Sequence, residues 1–508
     1  MTLPRSSTPA VAEPQRLLSR AATVAGALSI LCTVTIGLLG PSAMVPELPG
    51  APWQPPYSLG LAPGGHLVVA LGAVAIILGG AGLAAGLAVP GRLPRPRVLL
   101  LAGCLAAAVL TFLPPSGSSD HLNYAAYGRM AALGYDPYVT VAADLPADPL
   151  IGRVEEWRGT PSVYGPVATI VQSLAAHVGG DSLRLTVFAL ELANLVAFVA
   201  AALVLHRATR DDPVRQARAA LLWTVNPLLL YQLAAGMHLD TLAIALVVGG
   251  LVARRGVLLG LGVAVKVTAG LVALGTAWEL RRQPGRLALV AVSATATVVT
   301  LYWLAGPHAL DQVLDASKTV SLATPWMLVK RAAQSISSGS YHALIQIGSL
   351  LLMAVLAVLL LRRLSPGDAD APGRHAAPST GPAGAGVALA LTTAWLFATP
   401  YALPWYDGLA FALVALVPAT GLDGFLTARL TALSLAYLPA RQAGQPADLE
   451  WLVSVVRSLA VPAFLLALTA CLIWWAVATR APAPGQTPRE SAVRPPSGPS
   501  PGSRSRSR

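Results

Sequence analysis

Charge is what this 508-residue sequence has least of. Asp, Glu, Lys and Arg together make up 11% of it, against 55% hydrophobic residues. A soluble domain usually carries about 25% charged residues, so the composition excludes an ordinary soluble chain. Cysteine is scarce as well. Cys32, Cys104 and Cys471 all lie inside apolar runs, without the spacing of a disulfide framework or a zinc site. A Walker loop, a dinucleotide fingerprint, an HExxH motif and paired CxxC motifs are all missing. No metal or cofactor site is therefore expected. No soluble domain and no strong internal repeat stands out, which argues against a repeat-built transporter.

What the chain has instead is apolar length. Its mean hydropathy is +0.63, and runs such as "AATVAGALSILCTVTIGLLG" (21–40) can cross a hydrocarbon core about 30 Å thick. An all-α, polytopic integral membrane protein is expected, multi-pass in the plasma membrane. The net charge of +12 would suggest nucleic acid in a soluble protein. Here the arginines sit in short connections between apolar runs, the positive-inside pattern, so no nucleic-acid partner is expected. Arg5, Arg16 and Arg20 precede the first run, which is long enough to serve as an uncleaved helix with its N-terminus inside.

About twelve crossings follow, near 21–40, 66–89, 98–113, 183–205, 218–234, 239–253, 287–305, 342–361, 383–399, 406–421, 425–440 and 452–478. "YGPVATIVQSLAAHVGG" (164–180) is expected to rest on or dip into the outer interface, because counting it as a span would strand "HRATRDDPVRQAR" outside. An external segment over 114–182 results, long enough to hold interfacial helices of its own. Residues 256–278 have basic clusters at both ends and Lys266 in the middle. A re-entrant pair of half-helices avoids placing one cluster outside and a lone ammonium at the bilayer centre. The domain reading is an N-terminal transmembrane hairpin over 1–97, a catalytic transmembrane domain over 98–479 and a basic, disordered cytoplasmic tail over 480–508.

On this topology, polar and aromatic residues gather on the outer face. "SSDHLNYAAYGRMAALGYDPY" (118–138) brings Asp120, His121, Tyr124, Tyr127, Arg129 and Tyr138, on an expected amphipathic helix with its rings at headgroup depth. "TPSVYGP" adds Tyr164, "GMHLD" adds His238 and Asp240, and "PYALPWYDG" adds Trp405 and Tyr406. Ionisable groups at a membrane boundary are functional candidates by default. Arg129, Arg153, Arg158, Lys318, Lys330 and Arg331 also fall outside, against the charge rule. A phosphate ligand would give Arg129, Lys330 and Arg331 a purpose, since guanidinium suits phosphate. With no nucleotide motif and the cluster facing out, an activated substrate has to arrive on a membrane lipid. A lipid-linked phosphosugar meets that requirement. A polytopic lipid or sugar transporter is the alternative, although its polar residues would line a path near the midplane.

The quoted stretches, together with "NPLLLYQLAAGMHLDTLAIALVVGGLVARRGVLLGLGVAVKVT" and "LPWY" in that order, resemble the actinobacterial polyprenol-phosphate-mannose-dependent α-1,6-mannosyltransferases of the GT-C class. The similarity covers most of residues 95–410. It implies a GT-C-like fold in which the acid of an early external loop, here Asp120, is the catalytic base. The donor would be polyprenyl phosphate mannose, the acceptor a growing mannan of the lipomannan or lipoarabinomannan type, and the reaction inverting. A related transferase using another lipid-linked sugar is the nearer alternative. Where that class often places two acids together, His121 follows Asp120 here, leaving His238 and Asp240 for the second function.

Overall fold

Apolar helices dominate the chain. A computed structural model describes residues 9–364, 382–441 and 443–478. Among these the named elements are all helical, as an environment without water demands of a backbone that must satisfy its own hydrogen bonds. The expected tail over 480–508, and most of the connection between the expected spans 342–361 and 383–399, lie outside the described residues.

The helices run α1 (Pro9–Leu39), α2 (Gly65–Ala88), α3 (Pro96–Thr111), α4 (Asp120–Ala132), α5 (Pro166–Gly179), α6 (Leu183–Ala208), α7 (Pro213–Leu222) and α8 (Pro227–Leu229), which continues as a π turn, Leu230–Ala235. Then follow α9 (Asp240–Ala253), α10 (Gly256–Val263), α11 (Leu271–Leu280), α12 (Pro284–Ala305), α13 (Asp311–Ala316), α14 (Pro325–Gln334), α15 (His342–Leu364), α16 (Gly384–Ala398), α17 (Asp407–Leu416), α18 (Leu422–Ala436) and α19 (Val461–Val477), the last entered through a π segment, Leu452–Ala460. Among the described residues, six helical stretches are long and apolar enough to cross a membrane: Glu13–Leu39, Gly65–Ala88, Leu183–Ala208, Pro284–Ala305, His342–Leu364 and Ala447–Val477. Shorter apolar helices lie between them. The chain is a polytopic membrane protein. Its helices, long and short, point large apolar side chains outward, among them Leu101, Leu105, Leu289, Val292, Val299, Leu350 and Leu351. α12 buries none of its residues. Such a belt fits hydrocarbon as the solvent.

Three local features set the site. The expected span over 218–234 is two pieces rather than one, because α7 stops at Leu222 and the chain restarts at Pro227. Proline has no N–H to donate and disfavours helical backbone in the residue before it. Asn226 caps the restart, its side-chain oxygen accepting from the Leu228 and Leu229 amides.

α4 differs more. It is not an amphipathic helix that presents its rings to headgroups; nine of its thirteen residues, Tyr124 and Tyr127 included, are buried. Its small residues explain this. A Cβ on Gly128 would stand 2.2 Å from the Gln172 carbonyl, so α5 packs directly on α4 and covers a face that the sequence leaves looking polar. At fourteen residues α5 is about 21 Å long, short of a crossing, as expected.

The third feature is the hairpin of α10 and α11. Arg254, at its start, pairs with Glu279, near its end, at 2.5 Å. The two ends therefore lie together, and the chain turns back between two short helices with Lys266 at the tip, the hairpin shape that a re-entrant pair would need. The "YGP" turn holds that tip: the Gly165 amide donates to the Val265 carbonyl at 2.9 Å and the Val167 amide to the Ala264 carbonyl at 3.0 Å. A Cβ at Gly165 would stand 2.3 Å from the Ala264 oxygen, so the approach needs glycine. Deeper in the bundle, Arg218 holds Asp423 through two bonds of 2.6 Å, and Arg429 pairs with the fully buried Asp407, fixing α17 behind the aromatic wall.

Candidate active site

α4 starts at Asp120 because the Ser118 hydroxyl accepts the Asp120 amide at 3.1 Å, which turns the carboxyl toward a cavity of about 1190 Å³. The Asp120 side chain keeps 17% of its surface exposed. Around it lies a continuous polar chain. Tyr124 Oη is 3.5 Å from Asp120 Oδ2, 2.9 Å from Tyr164 Oη and 3.2 Å from His238 Nδ1. Tyr164 donates to Asp240 Oδ2 at 3.2 Å, and Asp240 Oδ1 accepts from Lys266 Nζ at 2.5 Å. Each hydroxyl has one proton. Tyr164 spends its own on Asp240, so its oxygen is left to accept from Tyr124. Segments more than a hundred residues apart thus converge on one carboxylate.

Aromatic rings hold this arrangement rigid. His238 stacks on Trp405 with centroids 3.6 Å apart, Tyr437 meets Trp405 edge-on at 5.1 Å, and the Lys266 ammonium sits 3.6 Å over the Tyr406 ring. Desolvation, more than any other cause, lifts the Asp120 pKa from 3.8 to about 7, helped by the charges of Glu156 and Asp240 and opposed by Lys266 and the Tyr124 hydroxyl. Burial drops the neighbouring His121 to about 3, keeping it neutral.

Of the expected residues, Asp120, Tyr124, Tyr127, Tyr164, Trp405 and Tyr406 line the cavity. His238 and Asp240 stand behind them in the hydrogen-bonded chain. His121 is fully buried and is not part of the lining. Tyr138 bonds to the Thr169 hydroxyl at 2.8 Å, which ties the external loop to α5. The three cations expected at a phosphate lie elsewhere. Arg129 is taken up by Asp148 and Asp181. Arg331 donates to the Ser458 carbonyl at 2.8 Å, and Lys330 shares its short helix α14, outside the lining.

The lining cations are Lys266, Arg441 and Arg457. Arg441 pairs with Glu155. Arg457 donates to the carbonyls of Ala436 and Tyr437 at 2.6 and 2.9 Å and feels the charge of the Glu156 carboxylate. Both follow from the sequence only with hindsight. Arg441 closes "LPAR" at the edge of a span, and Arg457 is a lone arginine in an apolar run, itself a signal of function. Glu156, Trp157, Tyr401 and Tyr437 also join the lining. Opposite the charged wall, Val313, Ala316, Leu322, Leu350 and Met353 form an apolar one. Among the described residues, no group of three or more His, Cys, Asp or Glu stands close enough to hold a metal ion.

Part of the chain matches named relatives. A protein of Corynebacterium glutamicum named alpha-(1→6)-mannopyranosyltransferase A is 29% identical over 176 residues, 33% of this chain and 36% of that protein. A Mycobacterium tuberculosis protein of the same name is 25% identical over 341 residues, 61% of this chain and 63% of the relative. The matched stretches thus span from about a third to under two thirds of these relatives' lengths. Residues 23–282, from within α1 to just past α11, match the family described as alpha-(1→6)-mannopyranosyltransferase, N-terminal domain. With half of its length matched, the chain belongs to the alpha-(1→6)-mannopyranosyltransferase family.

Proposed function

We propose that the chain transfers mannose from polyprenyl phosphate mannose to the growing α-1,6-mannan of a lipomannan-type glycolipid, at the extracytoplasmic face of the plasma membrane. One observation carries this reading: a single cavity is lined by the Asp120, Glu156 and Glu450 carboxylates, by three cations and by apolar side chains. Those are the needs of an acceptor hydroxyl, a leaving phosphate and an isoprenoid chain. The extracytoplasmic side is read from the charge rule: the basic clusters at both ends of the α10–α11 hairpin, away from Lys266 at its tip, are taken as cytoplasmic.

In this mechanism Asp120 accepts the proton of the acceptor 6-hydroxyl as its oxygen attacks the anomeric carbon. The bond from that carbon to the phosphate oxygen breaks, and polyprenyl phosphate leaves with the electron pair. A β-linked donor gives the α product by a single displacement, through an oxocarbenium-like transition state as in glycoside hydrolysis. Arg457 and Lys266 are the cations assigned to the leaving phosphate. Tyr124, Tyr164, His238 and Asp240 act as positioning residues that fix the Asp120 carboxylate and the Lys266 ammonium.

Asp120 works as a base only when ionised, so its raised pKa sets the pH dependence. With a pKa of about 7, kcat/KM is expected to fall roughly tenfold per pH unit below that value and to level off above it. Glu156→Gln removes a charge that raises this pKa, so the acid limb should move to lower pH. A limb that stays put or moves upward in a pH–rate profile would count against Asp120 as the base.

The reading is tested with purified protein in liposomes, supplied with radiolabelled mannose on either polyprenyl phosphate or GDP. Transfer to an α-1,6-mannan acceptor is expected from the lipid donor alone, with a higher donor KM for Arg457→Gln. Transfer from the nucleotide sugar would overturn it.

A further inference from the structure

Trp157 is held in a backbone conformation that its side chain resists. Its φ is +61°, in the left-handed region that costs a bulky residue on the order of 1–3 kcal/mol, and its indole is 51% exposed. Such strain persists only where the surroundings enforce it, and here they do from four directions. Before it, Glu155 is gripped by Arg441. After it, the Arg158 carbonyl accepts from the Ala143 amide at 2.9 Å, and the Trp157 carbonyl accepts from the Thr160 amide at 2.9 Å. The Thr160 carbonyl then takes the Tyr127 hydroxyl at 2.8 Å. The loop is pinned on both flanks and its one large apolar side chain is left out, at the edge of the cavity that Asp120 faces. Among the described residues no other aromatic ring stacks on it. Folding alone gives no reason to strain a backbone in order to expose an indole.

We infer that Trp157 is the stacking platform for the acceptor saccharide, an inference that rests on the mannosyl-transfer reading above. A pyranose presents an apolar face of C–H bonds, and the electron-rich face of an indole is the largest surface a side chain offers it. The ring sits at the rim while Asp120 lies further in. A sugar stacked on Trp157 would hold the mannan chain so that its terminal residue reaches the carboxylate. Glu156, the next residue back and also in the lining, is placed to accept a hydroxyl of the same chain. The site therefore has two ends: a charged and apolar end for the donor, and an aromatic rim for the acceptor.

The test separates the two KM values, using α-1,6-mannotriose and polyprenyl phosphate mannose in liposomes. Trp157→Ala should raise the acceptor KM by roughly 5- to 10-fold, the worth of one aromatic contact, and leave the donor KM and kcat near wild type. Trp157→Leu should do the same, since it keeps apolar bulk but loses the π face. A ring that merely anchors the rim in lipid would instead leave Trp157→Leu with wild-type constants, which overturns the inference. Should Trp157→Ala fail to accumulate, Trp157→Gly carries the test, because glycine accepts the left-handed backbone without strain. A wild-type protein inactive on mannotriose would sink the mannosyl-transfer reading. An active wild type whose variants keep its acceptor KM sinks this inference alone.

Discussion

Asp120→Asn should cut mannosyl transfer by about 10²–10⁴-fold, the usual worth of a general base, and leave the amount of folded protein in the membrane unchanged. The substitution is nearly isosteric. Its effect on stability has a definite sign. The folded-state pKa of about 7 lies above the 3.8 of the unconstrained side chain, so the folded chain binds more protons than the unfolded one between those values. Folding stability from this group is full at low pH and falls as pH rises toward 7. Asparagine carries no charge to bury, so above pH 7 the variant should melt no lower than wild type. An inactive, equally stable protein is the expected result. Near wild-type turnover would remove Asp120 from the reaction, and a lower melting temperature would make its role structural.

The second large effect is expected at Lys266. Its ammonium meets Asp240 at 2.5 Å and lies over the Tyr406 ring. Lys266→Met leaves the Asp240 carboxylate buried without its partner, a loss of about 3–5 kcal/mol in buried pairs. Both the melting temperature in detergent and turnover should drop sharply. Adding Asp240→Asn removes the orphaned charge, and the double variant should regain most of the stability. Activity is where the roles divide. With Lys266 neutralising the leaving phosphate, the stable double variant remains inactive with an impaired donor interaction. Recovery of turnover together with stability would reduce the pair to a brace between the hairpin tip and α9.

How much of this was legible in the sequence depends on whether a residue acts through its own neighbourhood or through distant ones. Of about twelve expected crossings, the six long ones were legible because hydrocarbon thickness dictates long apolar runs, and the turn back at Lys266 because positive charge at both ends disfavours a crossing. The break at Asn226–Pro227 has a signal of its own in the proline, inside a run whose hydropathy alone suggests one helix. α4 misled for a clearer reason. Tyrosines spaced among alanines look like an interfacial face, yet the same alanines and Gly128 let α5 come into contact and bury it.

The phosphate cations illustrate the limit. Loop position made Arg129, Lys330 and Arg331 look available, but Asp148 and Asp181 occupy the first and a backbone carbonyl the last. Arg457 became a candidate only when the chain folded back and set its guanidinium beside Tyr437, 5.3 Å from the ring. Ion pairing is a property of the fold, and nothing local in the sequence announces which arginine comes to line the cavity.

The central claim is that this cavity meets a lipid-borne donor on the outer side of the membrane. It is tested most directly by sidedness of the reaction, with α-1,6-mannotriose, which does not cross membranes, offered to sealed vesicles loaded with radiolabelled polyprenyl phosphate mannose. Right-side-out vesicles should elongate the mannotriose added outside them, and inverted vesicles should do so only after detergent opens them. Elongation by sealed inverted vesicles, with none by right-side-out ones, would place the site on the cytoplasmic face and contradict the account.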